Sequence, residues 1–573
     1  MGAFFVLRNE APSRAKLTLL ERLRTHFRAC GFAPPFEATT PHWHVAVYPK
    51  LNDTQPHVHR VDGQNFAFAT GTLIYRGATG TAALERVWTD AADGTLDRAR
   101  LRGAYALGLC RDGKLTLSID ALGTYKVYRD EAWSTISSAF LATLAGISRP
   151  VADAQAIYEY VFQAATYGGR TLVKGMHLLD HREAIELAAK ATPIPLAAPT
   201  PASIEAKSFT AHLEHSLAAL REWFGEVVAC FGDRIDTALS GGYDSRLILA
   251  LLRDRGITPR LHVYGRKDDE DVRIARLIAE GEGLRVEHVD KSISVREPPR
   301  DMAEIIARNC RLLDAYPVDG ILDDGSDIAT RRDRAAGGAL ALNGGGGEIF
   351  RNFFYLPDRP FSVRELIWTF YSQFDPATAT EFFSEREYVE AMSAAVSFAL
   401  GTKDETLSRE EVELIYPAFR CRYWTGRNTS VNNQFGSALT PFIEHRIVAG
   451  AAPVPIQFKN HGRFEAALID ALSPSLARYP SSYGHGFHEP IPLKRRLKDQ
   501  LTLMRPPLLR RYAFRVKARL PGSPDHSRPY RDVIDPAQGI MSRYFRVARM
   551  GDPGQYARLC TLEYLFDRYG IAA

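Results

Sequence analysis

Hydrophobic and polar positions follow two different rhythms along this chain. Up to residue 188 the apolar residues come in short runs: "HVAVYP", "FAFATGTLIY", "YALGLC", "KLTLSID" and "YKVYRD". Turns containing Gly, Asp or Asn separate them, a pattern that predicts strands. Residues 1–188 are therefore expected to form a sheet-rich domain with a few helices. The stretch "AKATPIPLAAPTPASIEAK", 189–207, is rich in Pro and Ala, loses both periods, and reads as a linker. From residue 208 the pattern changes. "SFTAHLEHSLAALREWFGEVVACF" has the spacing of a long amphipathic helix. The strand-like "RIDTALS", "PRLHVYG" and "LRVEHVD" then alternate with the helix-like "SRLILALLRDRG" and "DEDVRIARLIAEGEG". Such alternation predicts βαβ units around a parallel sheet, with a site at the strand C-terminal ends. Later residues read as mostly helical.

Composition narrows the class. The 573 residues exceed one ordinary domain; 45% hydrophobic and 24% charged content are those of a soluble globular protein. A net charge of +5, from 72 basic and 67 acidic residues on a chain this long, implies no nucleic-acid or membrane partner. The six cysteines are scattered with no CxxC pair, which fits reduced thiols and a cytoplasmic location. The start MGAFFVLRNEAP lacks the pattern of a signal peptide, and Val6 stands where a myristoylation motif wants Ser or Thr. No apolar run approaches the ~20 residues of a membrane span.

The candidate chemistry centres on "ALSGGYDSRLILALL", 238–252. A loop of small residues joins a strand to a helix N-terminus, where backbone amides and the helix dipole favour an anion. Gly241 and Gly242 allow close backbone approach. Ser240 and Ser245 supply hydroxyl donors to phosphate oxygens. Asp244 opposes a bare anion, so a Mg²⁺ ion between it and the phosphates reconciles the two. The reading is a pyrophosphate cradle, and not a P-loop, since the GK[ST] lysine is missing.

Residues Ser240, Gly241, Gly242, Tyr243, Asp244 and Ser245 resemble the SGGxDS loop of the asparagine synthetase family of ATP pyrophosphatases. "VYGRKDDEDVRIARLIAEGEGLRVEH" resembles the family's second strand, adenosine-contacting loop and Asp-led helix, which implies Val263, Gly265 and Asp271 at the nucleotide. "NGGGGEIF", 343–350, resembles the later Gly-rich loop, with Gly344 and Gly345 beside ATP and Glu348 joining Asp244 on Mg²⁺. "LTPFIEHRIV", 439–448, resembles a PFLD-type segment, and "YGHGFHEP", 483–490, sits where relatives carry Lys-x-Gly-Phe. "TGTLIYRG" and "DALGTYKVY" resemble strands of the glutaminase-like domain. The implied architecture is α/β: residues 1–188 an Ntn-hydrolase-like (glutaminase-like) αββα domain, 189–207 a linker, and 208–573 a Rossmann-like ATP-pyrophosphatase domain rich in helices.

Departures from the family set the expected activity. Glutamine-dependent relatives expose a cysteine after Met1; here that residue is Gly2, and no Cys, Ser or Thr precedes Ser13. The first domain is expected to lack glutaminase activity. Gly345 stands where asparagine synthetases carry a Glu, and Gly484 where relatives carry the phosphate-steadying Lys. Tyr483, His485, Lys459, and behind them His488 and Lys494, are the candidates to supply the missing base or donor. Arg427 and Trp424 in "RCRYWTGRN" are candidates to cover an adenylate, with a core role as the plainer reading. The segment 491–520 carries ten Lys or Arg and one acid, and reads as a solvated face or a recruiter of an acidic peptide or carrier protein.

The resemblance implies an ATP- and Mg²⁺-dependent ligase that forms an amide through an acyl-adenylate, independently of glutamine, as lasso-peptide cyclases and β-lactam synthetases do. Its partners would be small-molecule or peptide carboxylates and amines, including a precursor peptide. Ammonia-fed asparagine synthesis and a non-catalytic binding homologue are the alternatives; tRNA thiolation usually wants catalytic cysteine pairs that this chain lacks.

Overall fold

The structure is a computed structural model that describes residues 1–9, 14–197, 208–290, 301–518 and 533–573. The early apolar runs form two six-stranded antiparallel sheets. One contains Ala3–Arg8 paired with Trp43–Tyr48; the other is built on the hairpin of Phe66–Tyr75 and Leu101–Arg111. Alternate side chains from each sheet meet in a shared core, where the Phe4 and Phe68 rings lie 5.5 Å apart. The outer faces are covered as well. Phe5 and Tyr48 pack on Phe27 of the helix Arg14–Ala29, and Leu73 and Tyr105 pack near Leu84 of the helix Gly80–Ala92. Coverage on both faces explains why "FAFATGTLIY" is apolar throughout, with all ten residues buried.

The segment expected to be a linker begins as a strand. Ala191–Pro195 pairs with Glu183–Leu187 at the edge of the second sheet. An edge position tolerates Pro193 and Pro195, whose missing N–H groups would break an inner strand. The rest of that stretch, 198–207, lies outside the described residues.

After it, Phe209–Phe231 forms the long helix, capped by the Ser208 hydroxyl and ended by Gly232 at φ 60°. A five-stranded parallel sheet follows. In chain order its strands are Ile235–Ala238, Arg260–Tyr264, Val286–Val289, Leu340–Leu342 and Ser437–Leu439. Across the sheet they run third, second, first, fourth, fifth. The order reverses between the first and fourth strands, which makes that gap the topological switch point where ligands of such sheets bind.

Polar ties cross from the antiparallel sheets to the second half. The Asp314 carboxylate accepts from the Phe140 and Leu141 amides at 2.8 and 3.0 Å and pairs with Arg427 at 3.0 Å. Thr72 donates to Asn433 Oδ1 at 2.6 Å. The Ala152 amide donates to the Ala572 carbonyl at 2.8 Å, so the chain's end closes against residues 150–152. Apolar residues 140–176 belong to the same core as the second half, so the buried interior does not stop at residue 188. Among the described residues, no helix is long and apolar enough to cross a membrane, and no disulfide joins the cysteines.

Candidate functional site

Two glycine-rich loops leave the strands that flank the switch point. The first follows Ala238 and leads into the helix Tyr243–Asp254, whose N-cap, Gly242, makes no side-chain cap. The loop is held from within: the Ser240 amide donates to Ser245 Oγ at 3.0 Å, the Gly242 amide to Ser240 Oγ at 3.2 Å, and the Gly241 amide to Asp271 Oδ1 at 3.0 Å. Asp271 therefore acts here as a support for the loop. A Cβ on Gly241 would lie 2.8 Å from Ile274 Cδ1 and 3.0 Å from the Ser482 amide, so a side chain there would crowd the loop.

The second loop follows Leu342. The Gly345 amide donates to Asn343 Oδ1 at 2.9 Å. Gly346 sits at φ +100°, a conformation that favours glycine. A Cβ on Gly344 would lie 3.3 Å from Asp244 Cβ; one on Gly347 would lie 2.4 Å from Asp244 Oδ1 and 2.9 Å from Glu465 Oε1. The two loops thus meet face to face over Asp244.

At that meeting lies a cluster that local sequence does not reveal. The Arg351 guanidinium reaches Asp244 at 2.7 Å, Glu465 at 2.8 Å and Glu348 at 3.5 Å, and donates to the Tyr483 hydroxyl at 3.0 Å. Glu348 also accepts from the Gly346 amide at 3.2 Å and from the Tyr416 hydroxyl. Three acids thus face one guanidinium. Burial, opposed by Arg351 and reinforced by Glu348, pushes the Asp244 carboxyl up. Burial and the neighbouring Asp244 push the Glu465 carboxyl well above the usual range. Neither carboxyl oxygen of Glu465 has a hydrogen bond of good geometry, although Arg351 lies at ion-pair distance. The cluster is short of positive charge.

The remaining expected site residues fall at different distances from this cluster. The Tyr243 ring stacks on Phe487 at 4.0 Å and lies 4.8 Å from Tyr483. His485 is buried, its Nδ1 3.4 Å from the Tyr483 carbonyl; with Tyr243, His461 and His488 it lines a cavity of about 590 Å³. Val263 is buried at the end of the second strand, and the Gly265 carbonyl beyond it lies 2.8 Å from His288 Nε2. Lys459 is not brought to the cluster: its amine is fully buried and paired with Glu413 at 2.7 Å. Arg427 serves as the buried partner of Asp314, and Trp424 lies under Arg420. Lys494 is exposed on a helix surface.

Arg351, Glu465 and Tyr416 are the cluster members that sequence reading missed. Arg351 stands three residues after Glu348, a spacing that places the two side by side in a helical turn. Glu465 and Tyr416 come from distant helical segments and carry no local signal.

A divalent cation would be held by Asp244 and Glu348. The crowding of Asp244, Glu348 and Glu465 around one guanidinium, with two of the carboxyls pushed up, fits a site that accepts a cation. Among the described residues no three His, Cys, Asp or Glu side chains form a ready-made cage, and Arg351 pairs with all three acids.

No protein-family model and no curated protein matches the chain. Among solved structures it is similar to one described as the allosteric regulatory enzyme of purine biosynthesis, at 12% identity and TM-score 0.24, over 52% of this chain and 77% of that one. It is also similar to glutamine phosphoribosylpyrophosphate (PRPP) amidotransferase from B. subtilis complexed with ADP and GMP, at 12% identity and TM-score 0.21, over 50% and 65% of the two chains. Superpositions that weak say nothing about this chain's chemistry.

Proposed function

We propose that the protein is an ATP-dependent ligase that forms an amide bond through an acyl-adenylate, without using glutamine. The observation that carries this reading is the convergence of Asp244 and Glu348 on one cationic spot, from the two glycine-rich loops that flank the switch point. The uncapped start of the helix Tyr243–Asp254 offers amides to a pyrophosphate, while Ser240 and Ser245 add hydroxyls. Bound Mg²⁺ would offset charge on the phosphates and on the leaving pyrophosphate. Asp244 and Glu348 would hold that ion. Arg351, within reach of both acids, is placed to follow charge as it develops on the departing group. A substrate carboxylate attacks the α-phosphorus and the bond to pyrophosphate breaks. An amine then attacks the acyl carbon, releasing AMP and a proton. The carboxylate form of buried Glu465 and the His485 imidazole are the candidates to take that proton.

Gly2 supports independence from glutamine. A Cβ there would lie 2.8 Å from the Pro49 carbonyl and 2.9 Å from Lys50 Cα, so position 2 has no room for a nucleophilic side chain.

Pyrophosphate release with candidate carboxylates tests the reading. Asp244→Ala is expected to slow it by at least ~100-fold, the scale for losing a preorganised charge-stabilising group. Unchanged ATP turnover in that variant would refute it. A second reading, nucleotide binding without catalysis, is favoured by Arg351 already filling the cation position; it predicts ATP binding with no pyrophosphate released for any carboxylate.

A further inference from the structure

The helix Leu493–Met504 is turned inside out. At about 100° per residue, Leu493, Met504, Leu497 and Leu501 share an arc about 80° wide. Those four side chains are 80%, 72%, 64% and 61% exposed. Asp499, on the opposite side of the helix, is the buried residue. It pairs with Arg495 at 3.2 Å and with His461 at 2.9 Å, while Arg495 donates to the Tyr355 hydroxyl at 3.3 Å. The helix is therefore fastened to the protein by its polar face and shows its apolar face to solvent. The pattern continues beyond it: Leu508, Leu509, Tyr512 and Val516 are also exposed. Eight of the sixteen exposed large apolar side chains among the described residues lie between 493 and 516, too many for scattered surface background.

On the helix itself the charges beside the stripe have one sign; at its far end Asp358 and Glu365, the latter paired with Arg359, share a cavity with Met504 and Arg505. Lys494 and Lys498 lie on one flank and Arg496 on the other, all exposed, with exposed Arg505 just past the helix end. Asp499 is the single acid of residues 493–516, and it faces inward. Arg511 and Arg515 are taken up by Glu385 at 2.5 and 2.6 Å. An outward apolar ridge with cations on both sides matches a planar surface that is apolar below and anionic at its rim. Leucines enter the acyl boundary while Lys and Arg extend to phosphate headgroups. A protein partner would need a groove with acids on both walls.

We propose that this helix docks the protein on an anionic lipid bilayer surface, lying in the interface plane without crossing it. The total charge of +5 hides this, because the asymmetry is local.

Co-sedimentation of the full chain with phosphatidylcholine vesicles, with and without phosphatidylglycerol, tests the proposal at physiological salt. The protein is expected to pellet with the anionic vesicles and at least ~10-fold less with zwitterionic ones. Leu497→Glu/Leu501→Glu and Lys498→Glu/Arg505→Glu should each weaken binding by ~10-fold or more while the melting profile is unchanged. These side chains are exposed, so neither pair is needed for folding. Three results would overturn the proposal: no binding to vesicles of either composition, binding that ignores the leucine pair, or self-association by analytical ultracentrifugation that disappears in Leu497→Glu/Leu501→Glu.

Discussion

Replacing Arg351 with Met tests whether the acid cluster is held by charge. Methionine keeps an apolar stem near the Tyr243 ring, over which the guanidinium sits at 5.3 Å. It removes the positive charge within 2.7 Å of Asp244, 2.8 Å of Glu465 and 3.5 Å of Glu348. Breaking a buried ion pair from one side costs about 3–5 kcal/mol, a large share of the ~5–15 kcal/mol that holds an ordinary domain. At about 2 °C per kcal/mol for a large cooperative unit, the melting temperature should fall by about 6–10 °C at pH 8. The pH dependence has a definite sign. Burial holds the Asp244 and Glu465 carboxyls above their unfolded values. Above about pH 4 the folded state therefore binds more protons than the unfolded one, and the cluster's contribution falls as pH rises. The variant should show a steeper fall. Two rescues separate charge from packing. Glu465→Gln in the Arg351→Met background should restore most of the loss, and millimolar MgCl₂ should raise the melting temperature where NaCl of equal ionic strength does not. A variant that melts like the wild type at pH 8, or one that Glu465→Gln leaves unrescued, would refute the reasoning.

Gly2→Cys should destabilise the protein by about 1–3 kcal/mol through overpacking and should release no glutamate from glutamine; glutamine hydrolysis by this variant would show that position 2 can hold a nucleophile after all. Asp314→Asn keeps an acceptor for only one of the Phe140 and Leu141 amides and takes the carboxylate from Arg427, so stability should drop by about 3–5 kcal/mol, while pyrophosphate release per folded molecule holds.

What the sequence shows of this molecule depends on how local the signal is. The loop 240–245 was readable because strand, turn and helix start lie within a few residues, and each small residue has a reason to be there. Ser245 and Ser240 brace the loop, and Gly241 lies where a side chain would collide with Ile274. Glu348 was readable for the same reason. Its companion Glu465 was not, because it sits in an ordinary helical stretch, Arg463–Leu472, and only the tertiary fold brings it to Asp244. Lys459 shows the reverse: a lysine close in sequence to Glu465 that the fold commits to Glu413.

Orientation is the other quantity that a periodic pattern leaves open. The segment 191–195 carries two prolines, which suggested a linker. An edge strand has one side free of ladder partners, so the same prolines are compatible with pairing. The helix 493–504 raises the same question more sharply. Its leucines recur at helical spacing, and spacing alone would turn them inward. The deciding residue is Asp499, whose pairing with His461 and Arg495 fixes the polar side against the protein and leaves the leucines no core to enter. A helical period states that one face is apolar; which face meets the protein is settled by polar groups that have partners on only one side. Here those partners come from elsewhere in the fold, His461 on another segment and Tyr355 through Arg495, and they leave the leucine face outward.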